Sequence, residues 1–328
     1  MMQNIIPQKL KVGDEIRVIA PSTSIKIIGV DCRQIAKERF EAMGLKVSFG
    51  KNTTDDNFDM FASSEIEKRA EDIMDAFKDN NVKAIFTVIG GFNSNQILPF
   101  LDYDVIRNNP KILCGYSDIT ALLGAIRAKT GLVTFYGPHY SSIGMLKGNE
   151  YTIDYMKKVL FDGCADIVPS VEWSDDLWFL DQENRTFIKN DGWWVLQGGK
   201  AKGELVGGNL GTYVLLNGTP YQLSFAENTI LFVEDCHYSL ADHEVFLRQL
   251  QSLAQRDDFK NVRAVVIGRF QKASNISREK LEFIINNIPQ LKNLPVIANV
   301  DFGHTTPIVT LPLGGICEVD INKIRVEW

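Results

Sequence analysis

Lys83-Ala84-Ile85-Phe86-Thr87-Val88-Ile89-Gly90-Gly91 decides the fold. A strand with one wet face alternates polar and apolar side chains. This run is almost continuously apolar and stops at two adjacent glycines, so it reads as a strand buried on both faces of a parallel sheet. The segments around it alternate strand and helix signals. Upstream, Glu15-Ile16-Arg17-Val18-Ile19-Ala20 reads as a strand, stopped by Pro21 and the loop Ser22-Thr23-Ser24. Arg33 to Met43 has helical periodicity, with Gly44 as its C-terminal stop. Leu45 to Phe49 is a short strand. Ser63 to Phe77 is an amphipathic helix with Ile66, Ala70, Ile73, Met74 and Phe77 on one face. Downstream come a helix near Gln96, a strand ending at Cys114 and a helix from Ile119 to Lys129. Such alternation predicts a doubly wound α/β sheet.

Between about Gly163 and Gly199 the pattern dissolves into acids and aromatics, including Trp173-Ser174-Asp175-Asp176-Leu177-Trp178-Phe179 and Asp191-Gly192-Trp193-Trp194. This reads as a linker plus a long working loop. The expected organisation is an N-terminal α/β domain over 1–165, a linker and tryptophan-rich loop over 166–200, and a mixed, β-rich C-terminal domain over 201–328. Strand candidates in the last part are Thr229 to Glu234, Arg263 to Ile267, Pro295 to Asn299 and three short strands from Ile308 to Trp328. Helices are expected from about Leu240 to Ala254 and Ser277 to Asn287. There is no internal repeat and no low-complexity tract.

The bulk composition narrows the function classes. The chain has 328 residues, 45% hydrophobic and 23% charged, with a net charge of −6, enough for one large or two ordinary domains. No Lys/Arg block stands out, which argues against binding a nucleic-acid polymer. No apolar run approaches the ~18 residues of a membrane span. Met1 to Leu10 lacks a basic segment followed by an apolar one, so no signal peptide is expected. Cys32, Cys114, Cys164, Cys236 and Cys317 are odd in number and far apart. That favours reduced thiols in a cytoplasm over a disulfide framework or a structural zinc site.

The chemistry concentrates at Cys114-Gly115-Tyr116-Ser117-Asp118-Ile119-Thr120. The apolar run Lys111-Ile112-Leu113-Cys114 breaks at Gly115, and an amphipathic pattern starts just after Ser117. A serine at a strand-to-helix break exposes its hydroxyl while N–H groups of the new helix point at the same place, as an acyl-transfer nucleophile needs. The competing reading is an ordinary helix N-cap. A nucleophilic serine requires a base and a carboxylate to orient it. The chain has four histidines, His139, His237, His243 and His304. His304 lies in a polar loop after a strand, where open α/β sheets place their chemistry. Glu234-Asp235 closes the apolar run Ile230-Leu231-Phe232-Val233 and places a shielded carboxylate at a strand end. Spacing does not choose between the two acids, and both also suit a helix start. His237 and His243 are six apart, not on one helical face, so a metal site is not expected.

Two glycine features remain. Gly90-Gly91-Phe92-Asn93-Ser94-Asn95 lets backbone N–H groups approach a ligand closely, as half of an oxyanion hole, as a phosphate cradle or as a simple turn. The dinucleotide fingerprint G-x-G-x-x-G is absent. Gly207-Gly208-Asn209-Leu210-Gly211 either bends the chain into the second domain or brings Asn209 to the site.

Read in order, Gly13-Asp14-x-Ile16-x-Val18-Ile19-Ala20-Pro21-Ser22, Gly90-Gly91, Gly115-Tyr116-Ser117-Asp118, Gly207-Gly208-Asn209-Leu210, Glu234-Asp235 and Gly303-His304 resemble the LD-carboxypeptidase family of serine peptidases over nearly the whole chain. The resemblance implies a flavodoxin-like N-terminal half, a β-rich C-terminal half and a site between them. It implies Ser117 as nucleophile, His304 as base, Glu234 as orienter, and oxyanion donors from the backbone N–H of Gly91 and Asp118. It implies no metal or organic cofactor, and a homodimer. Ile89-Gly90-Gly91-Phe92-Asn93-Ser94-Asn95 is similar to the microcin C self-immunity subgroup, which puts Asn93, Ser94, Asn95 and Asn209 among the substrate-binding candidates. Members of that subgroup stack a nucleobase on a loop tryptophan, here expected to be Trp178; such stacking contributes roughly 1–3 kcal/mol. The implied substrate is a peptidyl- or aminoacyl-nucleotide. A murein tetrapeptide LD-carboxypeptidase releasing D-alanine and a non-catalytic binding module are the alternatives.

Overall fold

The fold comes from a computed structural model that describes residues 4–55, 58–236, 243–321 and 323–328. The first five strands are β1 (Glu15–Ile19), β2 (Lys46–Phe49), β3 (Val82–Thr87), β4 (Ile112–Gly115) and β5 (Thr134–Tyr136). They pair in parallel in the order β2-β1-β3-β4-β5, the strand order of flavodoxin-like sheets. β3 is the central strand, and Ala84, Ile85 and Phe86 are fully buried in it, as the unbroken apolar run requires. Helix Ile66–Lys78 packs Ala70, Ile73, Met74 and Phe77 inward. The helix expected near Gln96 is instead a 3-10 segment, Ser94–Phe100, that contains Pro99. A proline there removes an amide donor, so an α-helical hydrogen-bond ladder cannot form.

The remaining strands are β6 (Cys164–Ile167), β7 (Glu172–Trp173), β8 (Ile188–Lys189), β9 (Trp194–Gln197), β10 (Ala201–Asn209), β11 (Thr229–Glu234), β12 (Val262–Gly268), β13 (Val296–Val300), β14 (Leu311–Leu313), β15 (Ile316–Asp320) and β16 (Lys323–Glu327). A second sheet runs β6-β16-β15-β10-β11-β12-β13-β9. Its centre, β10 to β13, is parallel, with helices His243–Ala254 and Arg278–Asn287 as crossovers. Antiparallel strands flank it. The start of the helix expected from Leu240, and His237, lie outside the described residues.

The sheets exchange strands across the expected boundaries. β6 and β9, from the region read as domain end and linker, pair into the second sheet. β14, from the C-terminal part, pairs antiparallel with β5 at the edge of the first. The tryptophan-rich segment is tied down as well. Ser174 and Thr306 exchange backbone hydrogen bonds, both of 2.8 Å, and buried Asp301 accepts from the Ser170 amide and hydroxyl at 3.0 and 2.5 Å. The loop carrying Trp178 is thereby fastened to the loop carrying His304. No helix among the described residues is long and apolar enough to cross a membrane.

Candidate active site

Ser117 follows β4 and opens the 3-10 turn Ser117–Ile119, which leads into helix Thr120–Thr130. Its φ is +60°, a conformation that costs a non-glycine residue about 1–3 kcal/mol and persists only where the surroundings impose it. The strained turn lifts the hydroxyl above the strand ends, as in a nucleophile elbow. Glu234 is the last residue of β11, and His304 follows β13 by four positions. All three therefore stand at the C-terminal edges of parallel strands, where chain reversal leaves a crevice.

The three side chains form one hydrogen-bonded line. His304 Nε2 is 2.9 Å from Ser117 Oγ, and His304 Nδ1 is 2.8 Å from Glu234 Oε2. Glu234 is fully buried, whereas the His304 ring retains 13% exposure. Two further donors fix the carboxylate: the Tyr136 hydroxyl at 2.7 Å and Asn209 Nδ2 at 3.0 Å, both on Oε1. Burial opposes ionisation of Glu234, but the His304 ring, Tyr136 and Asn209 outweigh it and hold the carboxyl below the usual range. Burial likewise works against a charged His304, yet the adjoining Glu234 carboxylate prevails and raises its pKa well above the ordinary imidazole value. Asp235, the alternative acid, is buried beside it and accepts from the Cys236 amide.

Close approach explains the glycines around the line. A β-carbon on Gly90 would lie 3.1 Å from Ser117 Oγ and 3.5 Å from the Asp118 amide nitrogen, and one on Gly303 would lie 2.8 Å from Glu234 Oε2. Gly90 thus lies against the serine and the Asp118 N–H together, while Gly91 lies against Ser22 and Thr23. The Asp118 side chain locks that arrangement. Its Oδ2 accepts from the Asn93 and Ser94 amides at 3.1 and 2.9 Å and from Ser22 Oγ at 2.7 Å. One carboxylate therefore ties the loop after Gly91 to the turn that presents Ser117.

Asn93 and Ser94, expected to contact substrate, are not among the residues that line the cleft. Both are buried. Asn93 Nδ2 donates to Ser63 Oγ, and its Oδ1 accepts from Arg69; Ser94 Oγ donates to the Asp118 carbonyl. The two residues build the loop from behind. Asn95 is half-buried on the 3-10 segment and is not among the residues that line the cleft. Asn209 does line it, while its amide holds Glu234 and its Oδ1 caps the following turn through the Thr212 amide.

The cleft above Ser117 has a volume of about 350 Å³ and is walled by Gly90, Gly91, His304, Asn209 and Trp178. His139 also borders it, hydrogen-bonded through Nδ1 to Thr87 Oγ1 at 2.7 Å. Burial holds this ring well below the ordinary imidazole pKa, so it stays neutral. Among the described residues no group of three or more His, Cys, Asp or Glu side chains is placed to hold a metal ion. Tyr136 has no signal in the sequence, because a tyrosine closing an apolar strand reads as core, and Ser22 enters only as a loop residue and as the last residue of the Gly13-to-Ser22 stretch.

A strained serine, an imidazole within reach of its oxygen, a buried carboxylate behind the imidazole and a glycine loop over the hydroxyl define a serine hydrolase. The sequence profile of the LD-carboxypeptidase N-terminal domain matches residues 16–137, and that of the C-terminal domain matches residues 202–319. The chain belongs to the LD-carboxypeptidase family of serine peptidases. It is 50% identical to YocD of Bacillus subtilis, a provisionally assigned carboxypeptidase, over 95% of each chain. The crystal structure of an MccF-like protein from Bacillus anthracis superposes with a TM-score of 0.95 at 46% identity, covering 98% of this chain and 99% of that one. The microcin C7 self-immunity protein MccF of Escherichia coli is 31% identical over 98% of this chain and 95% of its own. MccF structures with glutamyl sulfamoyl guanosine and with aspartyl sulfamoyl adenosine both superpose with a TM-score of 0.87.

Proposed function

We propose that the protein hydrolyses the amide-type bond joining an aminoacyl or peptidyl group to a nucleotide, in the manner of microcin C self-immunity, with Ser117, His304 and Glu234 as a catalytic triad. The observation that carries this reading is the line from Ser117 through His304 to Glu234, opening into a cleft that Trp178 also walls. Ser117 Oγ attacks the carbonyl carbon while His304 Nε2 takes the hydroxyl proton. Nδ1–H donates to Glu234, which fixes the tautomer and balances the imidazolium that forms. The oxyanion accepts from the N–H groups of Gly91 and Asp118; each such donor is worth roughly 10²–10³ in rate. As the tetrahedral intermediate collapses, the leaving nitrogen takes the proton from His304. Water then attacks the acyl ester with the same imidazole as base, and Ser117 is regenerated.

Trp178 offers a flat apolar face to a nucleobase, a contact that needs no base-specific hydrogen bond. The likeness to a protein solved with aminoacyl sulfamoyl nucleosides supports the same substrate class. We further propose a cytoplasmic location and a homodimeric state, the latter testable by sedimentation. Rates on aspartyl sulfamoyl adenosine and on an L,D-linked murein tetrapeptide test the substrate assignment. Turnover of the nucleoside is expected. Activity on the tetrapeptide alone would assign the protein to murein recycling instead.

A further inference from the structure

Beside the glycine pair the mouth of the cleft is apolar. The 3-10 turn Ile25–Ile27 opens with Ile25 in the core and is followed by Ile28, also in the core. Residues i and i+3 share one face of so tight a turn, which leaves Ile27 on the outside, 52% exposed. The Thr23 amide donates to the Gly90 carbonyl at 3.3 Å and fastens this segment to the glycine pair. Phe92 follows Gly91 directly. Asp118 and Arg69 hold its neighbours Asn93 and Ser94 inward, and Phe92 is left 70% exposed. Both side chains line the cleft together with Ser117.

Exposed apolar side chains scattered singly are ordinary, but two on joined loops at the rim of one cleft mark a binding surface. The catalytic steps use neither. The nucleobase is taken by Trp178 on a different loop, where Phe179 stands edge-on to the indole at 5.9 Å. The scissile carbonyl points its oxygen at the Gly91 N–H, so the acyl residue lies against Gly90-Gly91-Phe92. The cleft, at about 350 Å³, is near the lower end of the range for small-molecule sites, about 300–1,000 Å³. In a peptidyl substrate the chain that precedes the acyl residue therefore leaves through the mouth, past Phe92 and Ile27. No described lining residue is Lys or Arg, whereas Asp175 and Asp176 are both present. An acidic side chain finds no counter-charge there.

We infer that Ile27 and Phe92 form an apolar subsite for the residue that precedes the scissile acyl residue, so that peptidyl substrates with a large apolar side chain at that position are preferred over those with glycine or an acid. The inference rests on the substrate class proposed above and deepens its peptidyl branch. Covering such a side chain on the rim removes apolar surface from water on both partners. The contact is remote from the reacting atoms, so its effect falls on KM.

The test compares aspartyl sulfamoyl adenosine with its N-terminally extended leucyl-aspartyl, glycyl-aspartyl and glutamyl-aspartyl forms. Wild type, F92L and the double variant I27S/F92S are assayed, each confirmed folded by thermal melting. The wild type is expected to show a KM about tenfold lower for the leucyl form than for the glycyl form, as suits an apolar side chain covered on one face. The glutamyl form gains nothing over the glycyl form. In I27S/F92S the leucyl and glycyl forms come to within about twofold of each other, and F92L, which keeps an apolar surface, retains most of the difference. Equal wild-type KM values for the leucyl and glycyl forms overturn the inference. So does an equal loss on all substrates in I27S/F92S, which would make the rim part of the nucleoside seat. A changed sedimentation of that variant with the leucyl preference intact would assign the rim to a second copy of the chain and also overturn it. If the wild type cleaves none of the four, aspartyl sulfamoyl adenosine included, the parent function fails and takes this inference with it.

Discussion

Asp118→Ala tests whether a single carboxylate holds the oxyanion site together. The side chain lines no part of the cleft and is only 4% exposed. Its Oδ2 accepts two backbone N–H bonds, from Asn93 and Ser94. Hydrogen bonds to charged groups contribute about 1.5–3 kcal/mol each, so alanine costs about 3–6 kcal/mol of folding stability, set against the 5–15 kcal/mol typical of a whole protein. The catalytic cost has a different origin. The loop that carries the Gly91 N–H loses its tie to the Ser117 turn, and displacing one oxyanion donor lowers kcat by roughly 10²–10³. KM changes little, because no substrate contact is removed. Asp118→Asn separates the two effects. Its amide oxygen can take the place of Oδ2 and accept both N–H bonds, at about half the strength of charge-assisted ones. The asparagine variant therefore unfolds at a temperature between wild type and alanine and keeps kcat within about tenfold of wild type, short of the loss of a full donor. The assay is steady-state hydrolysis of aspartyl sulfamoyl adenosine at fixed pH, below the melting temperature of each variant. Asp118→Ala that is folded and turns over within about threefold of wild type would refute the reasoning, since even one lost donor costs far more.

Other outcomes follow from the same contacts. Because the Glu234 carboxylate raises the His304 pKa and catalysis needs the neutral ring, the acid limb of kcat/KM lies above the ordinary imidazole value of about 6.5. Glu234→Gln removes the negative charge, so that limb moves to lower pH while kcat drops by about 10⁴ through the lost tautomer control; a limb that stays put or rises counts against the pairing. Gly303→Ala forces a β-carbon to within 2.8 Å of Glu234 Oε2 at a φ of +105°. It should lower the melting temperature, through about 1–3 kcal/mol of backbone strain alone, and reduce kcat with it; unchanged values for both would show that the glycine is dispensable. Trp178→Ala should raise KM for the nucleoside substrate by the equivalent of about 1–3 kcal/mol, with phenylalanine restoring part of it. A KM unaffected by both changes would remove the tryptophan from the binding site.

The site was legible where local chemistry speaks. Ser117 stands out because an apolar run breaks at Gly115 immediately before a helix, and Gly90-Gly91 because nothing else follows so long a buried strand. The parallel pairing of the first sheet follows from the alternation of elements, and its flavodoxin-like arrangement from the family resemblance. Neighbouring acids defeated local reading: Glu234 and Asp235 are both buried at one strand end, and only the position of His304, seventy residues away, distinguishes them. Asn93 and Ser94 look like exposed loop polars in the sequence, yet Asp118 and Arg69 draw them inward through bonds that no spacing encodes. Tyr136 fills an apolar strand pattern while its hydroxyl reaches Glu234 on a different sheet. The same limit hid the strand exchange. β14 carries an ordinary short-strand pattern, and its partner, β5, lies some 175 residues upstream (311 against 136).

Covalent capture of the nucleophile tests the central claim most directly. Incubation with a fluorophosphonate, proteolysis and mass mapping should place a single adduct on Ser117, and His304→Ala should slow its formation sharply because the hydroxyl loses its base. An adduct on another residue, or undiminished hydrolysis by Ser117→Ala, would contradict the account.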